Sequence, residues 1–327
     1  MLKVLVLGPA SMLGRQFMDG AKDTVSLTAI GRTPPESVRL SAHNFEKVDL
    51  ADEGAVREYV RKSDADVWMN FAANTGVDQC ENDRPISLPD PTQECKDLTY
   101  RLNASLPRWL GEEAGRRGRR VLLLSTDAVF DGTRGPYGEE ENPSPFGPMV
   151  GWYGFTKGVG ELNLMGSECS KAIVRISYPF GGSPGRKRDI AQDLLARAAT
   201  NDVYPLFTDQ QITPTWIPDI SSLLLRLTGS DDQGLFHAAS PTLTTPFQFA
   251  EALFRIAGLH DIALRRSSLR EAINRGERAP RPLNGGLAVR RVRALGVEPH
   301  DYVSAISAFV RAFPRRGNSF PDSDHPS

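Results

Sequence analysis

Two short stretches of this chain carry side chains whose types and spacing could do chemistry. Ser125, Thr126 and Asp127 close the apolar run Val121 to Leu124, and Tyr153 and Lys157 stand four residues apart in a segment that reads as helix through Leu164. A four-residue step puts both on one helical face. A hydroxyl at a strand end, combined with a Tyr–Lys pair, can protonate or deprotonate an oxygen beside a hydride donor. A free phenol titrates near 10, too high for proton exchange at neutral pH. A nearby ammonium favours the phenolate and lowers that value, and Lys157 is placed to supply it. Tyr153 would then give its proton to the oxygen while Thr126 donates to it, general acid catalysis contributing about 10²–10⁴-fold. Of the seven Tyr, only Tyr153 has a Lys four residues later; the competing reading is a solvated helix pair. Strand alternation points Ser125 away from the Thr126 side, which makes it structural. Asp127 either binds substrate hydroxyls or caps a turn.

These residues need elements to hold them. Val121 to Leu124 has the pattern of a strand buried on both faces, and ligands of open α/β sheets bind beyond the carboxyl ends of such strands. Val4 to Leu7 is a first strand, followed by Gly8, Ser11, Met12, Leu13 and Gly14 at the start of a helix. Gly8 would allow a tight turn, Gly14 close helix–strand packing, and the helix N-terminus would hold a pyrophosphate. Ser11 stands where the fingerprint has its middle Gly, so an ordinary βα turn is the alternative. Ser26 to Ile30 is a second strand. Beyond it Arg32 occupies the place where an acidic residue usually holds a ribose 2′-OH. Arg32 therefore favours a 2′-phosphate and NADP(H), with NAD(H) use left open; a solvated loop arginine is the alternative, and Arg15 is a second candidate. Val48 to Leu50 reads as a third strand, with Asp49 accepting from an adenine amine beside Leu50. Val67 to Phe71 is a fourth, and the small Ala72, Ala73 and Asn74 after it would let a flat cofactor lie against the backbone.

Asn82 to Tyr100 carries Pro85, Pro89 and Pro91 and reads as an inserted loop. Asn103 opens a helix through Ala114, and Ala172 to Ile176 is a sixth strand, after which the strand–helix alternation ends. The Arg186–Arg188 run either meets a substrate diphosphate or is a solvated turn. Helices follow over Asp189–Ala199, Asp219–Leu227, Pro246–Ala257 and Asp301–Phe313. The polar, Pro-rich tail 314–327 reads as disordered.

The 327 residues allow one large domain or two, and 40% hydrophobic content suffices for a core. A formal net charge of -1 gives no reason to expect a nucleic-acid partner. Cys80, Cys95 and Cys169 have no metal or redox spacing, which fits a reducing compartment. His43, His237, His260, His300 and His325 are scattered, so no catalytic metal is expected. With no signal sequence and no apolar run of about 18 residues, the expectation is a cytoplasmic protein with no membrane association.

Taken in order, Gly8 to Gly14, Asn70 to Ala73 with Val77, Asp78 and Glu81, Ser125 to Asp127 with Val129 to Gly132, and Pro136, Tyr137 and Glu139 form one pattern. Tyr153 to Lys157 with Gly160 and Glu161, Asp209 and Gln210 with Pro214 and Thr215, and Arg281 with Pro282 complete it. The pattern resembles the extended short-chain dehydrogenase/reductases, and among them the dTDP-4-dehydrorhamnose reductases and their relatives, from Lys3 to about Phe313. The resemblance implies an α/β fold: a Rossmann-type doubly wound parallel sheet over 1–176, and a smaller C-terminal α/β substrate domain over 177–313, some later segments returning to the first. It implies Thr126, Tyr153 and Lys157 as the catalytic triad, substrate contacts from Asp127, Tyr178 and Arg281, and a nucleotide-sugar substrate. The activity implied is NADPH-dependent reduction of a 4-keto-6-deoxy nucleotide sugar at C4, most simply a dTDP-linked one. The alternatives are an epimerase or dehydratase of the same family, or a non-catalytic relative like the regulatory subunit of methionine adenosyltransferase. A homodimer is among the assemblies left open. Four departures stand out. Ser11 replaces Gly, Ala128 replaces the usual Tyr, Tyr178 replaces the usual Trp, and extra length occurs at Asn82–Tyr100 and Phe146–Trp152.

Overall fold

The computed structural model describes residues 1–34, 44–85, 95, 97–182 and 188–312. The Arg186 and Lys187 of the basic turn, most of the Asn82–Tyr100 insertion and the tail lie outside the described residues. The first half alternates strand and helix: β1 (Lys3–Leu7), α1 (Met12–Ala21), β2 (Ser26–Gly31), β3 (Phe45–Lys47), α2 (Glu53–Lys62), β4 (Val67–Asn70) and α3 (Val77–Asn82). Then come α4 (Leu98–Tyr100), α5 (Leu106–Arg117), β5 (Arg120–Thr126), α6 (Trp152–Met165), β6 (Ser170–Ile176) and α7 (Ile190–Ala199). The C-terminal part has β7 (Leu206–Phe207), α8 (Ile217–Thr228), β8 (Gly234–Ala238), α9 (Pro246–Ala257), β9 (Arg266–Ser267), α10 (Leu269–Asn274), α11 (Arg290–Ala294) and α12 (Tyr302–Ala312).

Seven parallel strands form one sheet in the order β3-β2-β1-β4-β5-β6-β8. The chain reverses direction across the sheet between β1 and β4, which opens a crevice at the carboxyl ends of those strands. The strands are nearly continuous apolar runs because helices cover both faces. Phe17 and Met18 of α1 pack with Ile220, Leu223 and Leu224 of α8 on one face. Val56 and Val60 of α2 pack with Leu106, Trp109 and Leu110 of α5 on the other. A further cluster, with Phe180, Trp216, Phe249, Leu253 and Phe309, builds the C-terminal lobe. Among the described residues no helix is long and apolar enough to cross a membrane.

Several expectations are corrected here. The third strand is Phe45–Lys47, not Val48–Leu50. Asp49 instead turns the chain, its Oδ1 accepting the Ala51 N–H at 3.0 Å, and Asp52 caps α2 through the Ala55 N–H at 3.0 Å. Asn103 does not open a helix. It lies inside a π-helical turn, Arg101–Ser105, that runs on from α4 into α5. Strand–helix alternation does not end at β6 either. The segment from Ile217 to Ala238 supplies α8 and β8, and β8 pairs with β6 in register Val174 to Phe236.

Candidate active site

A cleft of about 760 Å³ runs across the carboxyl ends of the strands. At one end stand Gly8, Ser11, Met12, Leu13, Arg15, Arg32, Asp49, Leu50, Ala72 and Ala73. Gly8 has φ +77, and a Cβ on it would lie 2.7 Å from the Ala72 nitrogen. A Cβ on Gly14 would lie 2.7 Å from the Gly8 carbonyl oxygen, so this glycine serves helix packing and stays out of the cleft wall. Ser11 acts as the N-cap of α1, its hydroxyl accepting the Gly14 N–H at 3.0 Å. That leaves the Met12 and Leu13 N–H groups, which head the helix without intrahelical acceptors, on two residues that line the cleft. Arg15 is only 6% exposed, and among the described residues its Nε has no partner. A glycine cradle, helix N–H groups without intrahelical acceptors and a buried arginine whose Nε lacks a partner among the described residues fit a phosphorylated dinucleotide. Asn74 does not belong to this wall. Its side chain donates to Thr99 Oγ1 at 2.8 Å, and its backbone is held by Asn103.

In the middle of the cleft the structure brings Thr126, Tyr153 and Lys157 together. Thr126 ends β5, and both other residues face it from α6. Burial pushes the Tyr153 phenol above its usual range, opposed by a hydrogen bond with Thr126, and Asp127 pushes it further up. Burial lowers Lys157 to about 8, opposed by Glu161 one turn along the helix. The ammonium is spent on the strand, donating to the Leu124 carbonyl at 2.7 Å. The expectation that Lys157 lowers the Tyr153 pKa is therefore not met in this arrangement. Backbone at the strand end holds the cation, and the desolvated phenol keeps its proton.

The far end of the cleft is lined by Asp127, Ala128, Tyr178, Gln210 and Arg281. Asp127 Oδ2 accepts the Ser177 hydroxyl at 2.6 Å, and its Oδ1 accepts the Thr126 hydroxyl at 3.2 Å. Burial raises Asp127 to about 6. Tyr178 has φ 43, a region that costs a residue with a Cβ, and its hydroxyl donates to Gln210 at 2.8 Å. Arg281 lines the cleft but is paired with Asp78, which also accepts from Arg278 and from the Ala279 N–H, each at 2.9 Å. Arg188 reaches the same cleft.

The supporting roles of three groups were not read from the sequence, although most of their residues stand in its motifs. Asn103, 1% exposed, accepts the Asn74 N–H and donates to the Asn74 carbonyl and to Thr156, fastening the π turn to α6. An Asn within a helical run was the available signal. Glu161 and Arg175 form a fully buried ion pair at 2.6 Å, and Ser125, next to Thr126, donates to the same carboxylate, which agrees with its structural reading. Gly154 and Gly160 let α6 approach: a Cβ on them would lie 2.1 Å from the Ala128 oxygen and 2.0 Å from the Asn103 oxygen.

The strand order, the glycine-turned helix and the Thr126–Tyr153–Lys157 wall define a Rossmann-type oxidoreductase of the short-chain dehydrogenase/reductase class. Residues 2–314 match the family described as RmlD substrate binding domain, and the chain belongs to that family. It is 30% identical over 272 residues, 82% of this chain and 84% of the other, to the Haloferax volcanii protein named "Probable low-salt glycan biosynthesis reductase Agl14". It is 29% identical to the dTDP-4-dehydrorhamnose reductase of Streptomyces griseus, over 95% of this chain and 92% of the other. In fold it is similar to the dTDP-4-dehydrorhamnose reductase of Bacillus anthracis solved in complex with NADP. The TM-score is 0.75 at 21% identity, over 96% of this chain and 100% of the other.

Proposed function

We propose that the protein is an NADPH-dependent reductase that converts the C4 carbonyl of a 4-keto-6-deoxy nucleotide sugar to an alcohol. The observation that carries this reading is that Thr126, Tyr153 and Lys157 line one cleft together, between the glycine-turned start of α1 and the polar residues Asp127, Gln210 and Arg281. Gly8, Ser11, Met12 and Leu13 would hold the pyrophosphate, Arg32 and Arg15 the 2′-phosphate, Asp49 and Leu50 the adenine, and Ala72 and Ala73 the flat ring. When bound, a reduced nicotinamide supplies the hydride. The protein's own part is to orient the ketone and deliver a proton. Tyr153, kept neutral by burial, is the acid; Thr126 fixes the carbonyl oxygen; Lys157 supplies positive charge next to the strand end. Relatives named dTDP-4-dehydrorhamnose reductase, one of them solved with NADP, support both substrate class and cofactor.

Ala128, replacing the usual Tyr, and Tyr178, replacing the usual Trp, reduce side-chain volume at the sugar end. Lost polar partners change which hydroxyls can be satisfied, so the favoured sugar differs from dTDP-4-dehydrorhamnose or the range is broader. The test is loss of NADPH absorbance with a panel of dTDP-4-keto sugars, each repeated with NADH. Turnover of at least one sugar, faster with NADPH, is expected. No turnover of any would end the reductase assignment. A preference of more than about tenfold for dTDP-4-dehydrorhamnose, roughly 1.4 kcal/mol, would end the argument from pocket volume.

A further inference from the structure

Tyr153 is the second residue of α6, in the turn of a helix whose own N–H groups have no intrahelical acceptors. The first internal bond of α6 runs from the Phe155 N–H to the Gly151 carbonyl at 2.9 Å, and Gly151 has no side chain with which to cap the rest. A proton donor in a turn free to fray would miss the geometry of the reaction, where a 1 Å misplacement costs about 10²-fold. The missing cap comes from other elements. Glu81 Oε2, from α3, accepts the Trp152 N–H at 2.6 Å, placing a carboxylate at the positive end of the helix dipole. Asp97 Oδ2, which also caps α4 through the Tyr100 N–H at 2.6 Å, accepts the Trp152 indole N–H at 3.2 Å. Tyr100 and Phe155 stack with the Trp152 ring at centroid separations of 6.2 and 5.1 Å. Trp68 and Trp109 are as deeply buried as Trp152, yet among the described residues their indole N–H groups have no partner. A Cβ on Gly151 would lie 2.9 Å from Glu81 Oε2 and 2.6 Å from the Pro280 carbonyl oxygen, so the start of α6 has little room to shift.

We propose that Trp152 is a positioning residue for Tyr153, and that Asp97 and Glu81 act on the reaction through it. This rests on the reductase reading of the site. It gives a task to the two stretches of extra length, Asn82–Tyr100 and Phe146–Trp152, whose ends meet here: Asp97 and Tyr100 from one, Trp152 from the other. Stacked rings tolerate a range of offsets, whereas a hydrogen bond to a carboxylate is short and directional. The indole has one donor and no acceptor, so a single bond to Asp97 satisfies it. Glu81 fixes the backbone of Trp152 and Asp97 fixes its side chain. Tyr153 follows one peptide later and packs in the same apolar cluster. Leu98, next to Asp97, lines the cleft, so one carboxylate joins the cleft wall to the residue that precedes the acid.

The test separates positioning from packing. Trp152→Phe keeps a ring to stack on Tyr100 and Phe155 and removes the N–H. With the dTDP-4-keto sugar that the wild-type protein reduces fastest, kcat should fall about tenfold, while KM and the NADPH dissociation constant stay within about twofold. Trp109→Phe is the control: it removes the same bulk from a buried indole that has no hydrogen bond to lose, so it should lower stability to urea and leave kcat within about twofold. Asp97→Ala should lower kcat as Trp152→Phe does, and the double variant should be no slower than the slower single one, because both remove the same bond. Asp97→Asn keeps an acceptor and should recover most of the rate. Amide hydrogen exchange over residues 152–157 gives a readout without substrate. It should be faster in Trp152→Phe and in Asp97→Ala and unchanged in Trp109→Phe. Wild-type kcat in Trp152→Phe, an equal loss in Trp109→Phe, losses that multiply in the double variant, or unchanged exchange over 152–157 would each overturn the proposal. If Trp152→Phe does not fold, the contrast between Asp97→Ala and Asp97→Asn decides by the same two readouts. If no sugar nucleotide is reduced at all, the reductase reading fails on its own, and the exchange rates still decide whether Asp97 and Trp152 hold the start of α6.

Discussion

At the scale of single residues, burial drives Tyr153 and Lys157 in opposite directions, each toward its uncharged form. For a ketone reduction that is a workable arrangement. The phenol holds its proton until an alkoxide develops, and the lysine stays close enough to neutrality to respond to whatever binds beside it. Tyr153→Phe removes the transferable proton and keeps the ring in its packing against the apolar cluster that includes Trp152 and Phe155. We expect kcat to fall by about 10²–10⁴-fold while the dissociation constant for NADPH, measured by fluorescence titration, hardly moves. Full turnover by this variant would end the assignment of Tyr153 as the acid. The residue types and the four-residue spacing made Thr126, Tyr153 and Lys157 legible in the sequence, because a helical face follows from spacing alone. Their hydrogen bonds were not legible. Lys157 finds Leu124, 33 positions away, and Asp127 finds Ser177, 50 positions away, contacts that only the folded sheet creates.

At the scale of elements, the approach of α6 to β5 and to the π turn decides where Tyr153 and Lys157 stand relative to Thr126. Sequence periodicity located α6 and most strands, since buried parallel strands and an amphipathic helix each leave a pattern. It could not find the π turn, whose extra residue leaves no local mark, nor β8, a short GLFHA run interrupted by a histidine. That histidine, His237, is tolerated because it is held neutral: burial and the adjacent Arg175 lower it to about 3, and its Nδ1 pairs with the Ala288 carbonyl at 2.9 Å. The glycines of α6 could be read as helix-weakening until their neighbours were known. Gly160 and Gly115 illustrate the difference. A Cβ on Gly160 would meet the Asn103 oxygen at 2.0 Å, whereas one on Gly115, in α5, meets nothing closer than 3.5 Å. Gly160→Ala should therefore destabilise by about 1–3 kcal/mol through overpacking and lower kcat by displacing Tyr153 and Lys157. Gly115→Ala should stabilise by up to about 1 kcal/mol, the helix-propensity difference. Urea denaturation of both variants checks the reversal in sign, and equal effects would show that α6 is free to move away from the π turn.

At the scale of the whole molecule, the cleft lies between the sheet and a C-terminal segment that must be held in place over its mouth. The sequence pattern showed which end of the sheet carries the site. It did not show that the segment from Ile217 to Ala238 returns to the sheet, or that 278–281 is fastened to α3. Asp78 makes that fastening. It accepts from the Ala279 N–H, from Arg281 and from Arg278, and these together hold its carboxyl below the usual range even though burial, the largest single influence, works to raise it. Glu81, on the same helix, accepts the Trp152 N–H at 2.6 Å, so α3 ties the C-terminal segment and the start of α6 to one support. Beyond this anchor the chain is closely packed: a Cβ on Gly132 would lie 2.5 Å from the Pro282 Cα, next to Arg281 in the cleft wall. Removing the anchor should leave the dinucleotide end intact and loosen the substrate end. Asp78→Ala is expected to raise the KM for the sugar nucleotide on the order of tenfold, about 1.4 kcal/mol, with the NADPH dissociation constant within about twofold of wild type. Asp78→Asn keeps acceptor capacity without charge and should fall between the two. The folded-state pKa of Asp78 is depressed, so its contribution to stability is complete above the unfolded value near 3.9 and is lost as pH falls through the lower folded value. At neutral pH the anchor is fully formed, and the KM change in Asp78→Ala should persist from pH 6 to 8. A rise in the NADPH dissociation constant matching the rise in sugar KM would show instead that Asp78 supports the entire cleft, and the division between its two ends would have to be abandoned.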